Sequence, residues 1–196
     1  MLGLRDAAHL PAIADWYGGG AHMICGGAGL EEPLRAAGYA PGYAWMRFVR
    51  AADASASAPT DLRIEAVGPD RAEDWAAPVA AGFNMPPPMV PWLAALAGRP
   101  GWTCLAAYDG DVSVAGAAVF VAGEQAYVGF GATLPAARGR GAQSALLARR
   151  VAIAADQGAR ELITETGARE PEKVAASYRN ILRAGFAEAE VRPNWD

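Results

Sequence analysis

The stretch AYVGFGATLPAARGRGAQSALLARRVAIAADQG, residues 126–158, decides the fold. Residues 126–134 are apolar and aromatic with few charges and predict a strand. Residues 142–157 predict a helix, because Leu146, Leu147, Val151 and Ala154 fall on one face and Gly158 supplies the stop. Between the two lies Arg138-Gly139-Arg140-Gly141-Ala142-Gln143-Ser144. The first N–H groups of a helix have no intrahelical acceptor and converge on one spot, which attracts phosphate. Gly139 and Gly141 let backbone approach an anion with no Cβ in the way, and Arg138 and Arg140 can add charge-assisted hydrogen bonds. A pyrophosphate fits such a cradle; a solvated turn with two surface arginines is the plainer alternative.

Two other anion cradles fail on residue type. A P-loop needs Gly-Lys-Ser/Thr at the start of the helix, where this chain has Gly141-Ala142-Gln143. A dinucleotide fingerprint needs three glycines; although Glu161 or Glu165 lies near the distance of a ribose-binding acid, only two glycines are present.

Working outward, residues 62–67 predict a strand, and 70–81 and 91–97 predict helices on either side of the Pro-rich loop GFNMPPPMVP at 82–91. Residues 102–108 and 112–121 are strands joined by Asp109-Gly110-Asp111, a strong hairpin signal. A strand at 162–166, a helix at 172–184 ending at Gly185, and a strand at 186–191 complete a run of antiparallel strands followed by βαβ. The fold class is mixed α/β. Upstream, helices at 7–17 and 30–37 alternate with strands at 21–25 and 43–50. DASASAPT, residues 53–60, has the composition of a connector. The expected organisation is therefore an N-terminal αβαβ appendage over 1–52, a linker over 53–60 and a main domain over 61–196. Ala37-Gly38-Tyr39 echoes Ala184-Gly185-Phe186, so the appendage could be a degenerate partial copy of the main domain, a substrate cover or a homodimer contact.

Composition narrows the function classes. Across 196 residues, 53% are hydrophobic and 19% charged, a globular balance, and the formal charge of -4 leaves no general positive field for nucleic acid or anionic membrane. The nearly uncharged run 112–123 is too short to cross a bilayer, and no signal-like segment opens the chain, so a cytoplasmic location is expected. Cys25 and Cys104 lack partners for a disulfide framework or a metal site and are read as small buried hydrophobes. His9 and His22 are given no role.

With the cradle in place, the chain from about 62 to 195 resembles the GNAT superfamily of acyl-CoA-dependent N-acetyltransferases. That family's signature, R/Q-x-x-G-x-G/A before a helix, is matched by Arg138, Gly139, Arg140, Gly141, Ala142 and Gln143, with Gln143 departing at the last place. Leu134-Pro135 before the signature and Gly185-Phe186 after the last helix add to the likeness. The resemblance implies a largely antiparallel twisted sheet, splayed around the βα unit, and acetyl-CoA as acyl donor. It implies a primary amine of a small molecule or peptide as acceptor, and direct transfer between them. It also implies pantetheine binding by the backbone of Ala132, Thr133 and Leu134, and an oxyanion donor near Ala132 or Thr133.

The chemistry needs a neutral amine nucleophile, an oxyanion donor and a proton for the leaving thiolate. Where many members carry a tyrosine before Gly-Phe, this chain has Ile181, so Tyr178 on the same helix is the substitute acid. Asn180 is a candidate cofactor contact. Glu165, and less so Glu124, are candidate bases. Tyr127, Gly129, Gly131 and Thr133 are expected to share one strand face, where two glycines either leave room for an acceptor or mark a bulge or close packing. Phe83, Met85, Met89 and Trp92 are expected to wall the acceptor site or to pack a corner. Two competing functions stand beside the transferase: a CoA-binding regulatory or interaction module, and a nucleotide-linked oxidoreductase.

Overall fold

The computed structural model describes residues 4–26, 29–53, 58–169 and 175–196. In chain order its elements are α1 (Leu10–Tyr17), β1 (Ile24–Cys25), α2 (Glu31–Ala36), β2 (Pro41–Ala51), β3 (Arg63–Val67), α3 (Ala72–Gly82) and α4 (Met89–Ala94). They continue with β4 (Trp102–Asp109), β5 (Val112–Ala122), β6 (Gln125–Thr133), α5 (Ala142–Asp156), β7 (Glu161–Gly167), α6 (Ala176–Arg183) and β8 (Ala187–Trp195).

Every element expected from the sequence forms, and the differences lie at the ends. Ala7–His9 is a tight 3-10 turn, capped by Asp6, whose Oδ1 accepts from the N–H of Ala8 at 2.9 Å, so α1 starts only at Leu10. α4 starts two residues before the expected 91, because Pro91 falls in its first turn, where a missing N–H costs nothing. β8 runs on past the expected 191 through Pro193 to Trp195, where β1 pairs with it. The expected start of the last helix, 172–174, lies outside the described residues.

Packing divides the chain into two units: the larger holds Val49–Thr164 and Asn180–Ala187, the smaller Met1–Phe48, Glu165–Arg179 and Glu188–Asp196. The smaller unit thus takes β8 and the start of α6 from beyond the connector at 53–60, so the units are not colinear with the appendage and main domain drawn from composition. Residues 54–57 of that connector lie outside the described residues.

In the larger unit the strands follow the order β7-β6-β5-β4-β3. β3 to β6 are antiparallel neighbours, and β6 pairs with β7 in parallel. The Asp-Gly turn joins β4 to β5, with Gly110 at φ 58. Alternation along β4 feeds two cores. Cys104, Ala106 and Tyr108 join Trp75 and Val79 of α3, while Leu105 and Ala107 join Leu146 of α5. Pro78 inside α3 cannot donate to the carbonyl of Asp74, and the hydroxyl of Ser113 on β5 takes that acceptor instead. The helix therefore crosses β5 without an orphaned carbonyl.

In the smaller unit β1, β8, β2 and the end of β7 follow in that order, with Ile24 opposite Trp195 and Cys25 opposite Asn194. Leu10, Ile24, Leu30, Leu34 and Trp195 form its core. The echo of Gly38 and Gly185 is real as local geometry. Both have positive φ, and the next residue's N–H reaches back five positions, from Tyr39 to Leu34 and from Phe186 to Ile181. The same cap closes α3 at Asn84 and α5 at Gly158, so it recurs at four helix ends of this chain. Among the described residues, no helix is long and apolar enough to cross a membrane.

Candidate functional site

The cradle forms where the sequence places it. β6 ends at Thr133, a short 3-10 turn covers Pro135–Ala137, and α5 begins at Ala142 with Gly141 as N-cap. Arg138 N–H donates to Pro135 O at 3.3 Å, and the first helical bond runs from Ala145 N–H to Gly141 O at 3.0 Å. Among the described residues, the N–H groups between these two, from Gly139 to Ser144, find no acceptor. Gly139 and Gly141 take φ 82 and 80, left-handed values that side chains resist. A Cβ on Gly139 would meet nothing within 4 Å, so the loop is open there. On Gly141 it would lie 2.3 Å from Pro59 O.

The two arginines part ways. Arg140 is not free for phosphate. Its Nε and Nη2 donate to Asp61 at 3.0 and 2.6 Å, and its Nη1 donates to Asp109 at 2.6 Å. Hydrogen bonding to Arg140 holds both carboxyls below the usual aspartate range, and the two aspartates raise the guanidinium in return. Thr60 Oγ1 donates to Arg140 O at 2.8 Å, so Pro59, Thr60 and Asp61 together fix the loop. Arg138 is exposed, and its Nε donates to Thr133 O at 3.3 Å. It enters no ion pair among the described residues, which makes it the cation available to an anion. Gln143, the departure from the family signature, donates from Nε2 to Thr133 Oγ1 at 2.8 Å and ties the first turn of α5 to β6.

On β6 the expected shared face does not exist, because a bulge interrupts it. Ala118 pairs with Gly129 and Gly116 with Ala132, so Phe130 and Gly131 together stand opposite Ala117. Phe130 adopts φ 55 to allow this. Tyr127 and Gly129 therefore stay on the face of Phe120 and Ala118, while Gly131 and Thr133 turn toward α5. Neither glycine leaves open room. The Tyr127 ring lies over Gly129, with Cε1 2.3 Å from the position of a Cβ, and Gln143 and Arg150 fill the space at Gly131. The parallel ladder with β7 ends at Tyr127 and Ile163, although β6 continues to Thr133.

The groups proposed for proton transfer are engaged elsewhere. Tyr178 and Glu165 belong to the smaller unit. Tyr178 is buried against Phe48, ring centroids 4.8 Å apart, and its hydroxyl donates to Glu188 Oε1 at 2.6 Å. Burial first, then that bond, pushes the phenol pKa up. Glu165 accepts from Arg192 Nη1 at 2.8 Å and Arg47 Nε at 3.1 Å, which makes it an ion-pair anchor. Glu124 is exposed and pairs with Arg160 at 3.1 Å. Asn180 accepts from Arg183 through Oδ1. Of the expected apolar wall, Phe83 and Trp92 are exposed, whereas Met85 packs on the α3 core.

Three features escape a reading of the sequence: the pairing of Arg140 with Asp61 and Asp109, the buried Arg150, and Trp75. Trp75 is fully buried on α3, 6.3 Å from the Phe130 ring between centroids, and its Nε1 has no acceptor among the described residues.

Similar architecture occurs in solved structures. A GCN5-related N-acetyltransferase from Sphaerobacter thermophilus superposes with a TM-score of 0.68 at 18% identity, over 89% of this chain and 57% of that one. A GCN5-related N-acetyltransferase from Kribbella flavida gives 0.65 at 17% identity, over 86% and 63%. A conserved protein of unknown function from Staphylococcus epidermidis gives 0.65 at 11% identity, over 98% and 81%. No protein-family model matches the sequence, and no curated protein matches it. The chain thus has the fold of GCN5-related N-acetyltransferases, and spans about three fifths of the length of the two so described.

Proposed function

We propose that this chain is a member of the GNAT superfamily that moves an acetyl group from acetyl-CoA to a primary amine of a small molecule or peptide, by direct transfer and in the cytoplasm. The observation that carries the reading is the cradle: acceptor-free N–H groups from Gly139 to Ser144 at the start of α5, beside an exposed Arg138 with no carboxylate partner among the described residues. These residues fit a diphosphate. Arg140 and its two aspartates act by holding the loop in shape. When bound, acetyl-CoA supplies an acyl group already activated as a thioester.

What the chain supplies is orientation and polarisation. Ala132, Thr133 and Leu134 run from the bulge to the cradle and offer the backbone along which a pantetheine arm would lie. Ala132 and Thr133 stand in register with Gly116 and Ala115, whereas the bulge leaves an extra residue outside the ladder. An amide of Phe130 or Gly131 is therefore the better oxyanion donor. An acceptor amine arriving neutral needs no dedicated base, because the proton it gives up as the C–N bond forms can pass to the thiolate as the C–S bond breaks, in keeping with the engagement of Glu165 by two arginines.

The alternative, a CoA-binding regulatory module, is favoured by one observation: Tyr178 spends its proton on Glu188. Both readings are tested by calorimetry with CoA, followed by thiol release from acetyl-CoA across a panel of amines, amino sugars and peptides. Binding with turnover supports the transferase. Binding without turnover on every acceptor leaves the module, and no binding of CoA removes both.

A further inference from the structure

Arg150, in the middle of α5, is 4% exposed and takes part in no ion pair among the described residues. Its hydrogen-bond partners among the described residues are carbonyls, and Tyr127 acts on it electrostatically. Nε donates to Leu146 O on its own helix at 3.1 Å, and Nη1 donates to Gly129 O on β6 at 2.8 Å. Nη2 lies 3.2 Å from where a Cβ on Gly131 would sit. The guanidinium therefore grips the strand at the residue just before the bulge and fills the space beside Gly131 within it. Burial pushes its pKa down to about 10, so it stays charged at neutral pH. A buried cation without a carboxylate is costly, and an apolar side chain of similar volume would usually be no less stabilising. A helix that needed only to pack on β6 has no use for arginine at this place.

Two clamps thus join α5 to β6 on either side of Phe130. Gln143 holds Thr133, and Arg150, about 10 Å further along the helix at 1.5 Å per residue, holds Gly129. Between them the strand carries the left-handed Phe130, a strained conformation that persists only where its surroundings enforce it. The same helix presents the cradle at its N-terminus. We propose that Arg150 is a positioning residue that fixes the bulge relative to the cradle, so that an amide of Phe130 or Gly131 meets the thioester carbonyl of a donor anchored at Arg138. This rests on the CoA-dependent reading above.

The test uses the full chain with CoA and [1-13C]acetyl-CoA, and the variants R150M and R150K. In the wild type, the carbonyl stretch of bound acetyl-CoA should move to lower wavenumber than in solution, as hydrogen bonding to the thioester requires. In R150M the stretch should return toward the solution value, while affinity for CoA stays within about threefold and the melting temperature does not fall. R150K, charged but without the planar fork, should fall between them. With an accepted amine in hand, kcat should drop about tenfold to a hundredfold at nearly unchanged KM for acetyl-CoA. Should R150M not fold, R150K and R150Q carry the same measurements. A wild-type shift kept in the variants would overturn the proposal and leave the proposed function standing. A lower melting temperature with an unchanged stretch would reduce Arg150 to packing. A preference for succinyl-CoA lost in R150M would make the guanidinium a receptor for a ligand carboxylate and also overturn the proposal. A wild type that does not bind CoA would remove the underlying reading itself.

Discussion

Gly139 and Gly141 sit two residues apart at nearly the same φ, 82 and 80, yet differ in surroundings, and that contrast predicts a measurable gap between two alanine variants. Gly139→Ala meets nothing within 4 Å and bears only the left-handed conformation, about 1–2 kcal/mol. Gly141→Ala bears the same cost, and its Cβ would lie 2.3 Å from Pro59 O, so that carbonyl must retreat by roughly 0.7 Å. Overpacking of this kind adds about 1–3 kcal/mol. At about 2–4 °C per kcal/mol for a chain of this size, Gly139→Ala should lower the melting temperature by roughly 2–8 °C, and Gly141→Ala by a further 2–12 °C. Differential scanning calorimetry of both variants beside the wild type reads the gap directly. Equal melting temperatures would refute the reasoning, since the loop would then not rest on Pro59 at all.

Arg138→Ala should weaken CoA binding about tenfold to a hundredfold, the loss of a charge-assisted phosphate contact, with a melting temperature within about 2 °C; calorimetric titration at fixed salt decides. Asp61 and Asp109 have folded-state pKa values below 3.8, so their contribution to stability is present above that pH and is lost as pH falls through the lowered values. Melting curves from pH 6 down to 3 should therefore show a loss that the Asp61→Asn, Asp109→Asn double variant lacks. Cys25 and Cys104 are buried, and burial pushes the Cys104 thiol up to about 12. Neither should react with a thiol reagent at pH 8 until denaturant is added; rapid labelling of the native protein would contradict this.

Local chemistry was the legible part of this chain. Apolar runs around Asp109-Gly110 announce the hairpin, and Gly139 with Gly141 before a helical stripe announce the cradle, because turns and helix starts are decided by neighbours in sequence. The bulge was not legible in the same way. Period-two alternation places Tyr127, Gly129, Gly131 and Thr133 on one face, and a single extra residue at Phe130 reverses the last two. Gly-Phe-Gly allowed a bulge without locating it. Long-range partners were out of reach altogether. Arg140 meets Asp61 across 79 residues and Asp109 across 31, so two arginines that look alike in RGRG have different tasks. Residue type and position on their elements are what single out Tyr178 and Glu165 in the sequence. Their engagement by Glu188, Arg192 and Arg47 depends on which strands become neighbours, which composition does not state.

Pro59, Thr60 and Asp61 look like the frayed end of a tether, yet all three are wedged against the glycine loop at Arg140 and Gly141. Anyone trimming the protein to a minimal folded piece by cutting at Leu62 would keep every strand and helix of the larger unit from β3 onward, and still unseat the loop. The cut that spares these contacts lies upstream of residue 58, because it leaves Pro59, Thr60 and Asp61 in place against Arg140 and Gly141.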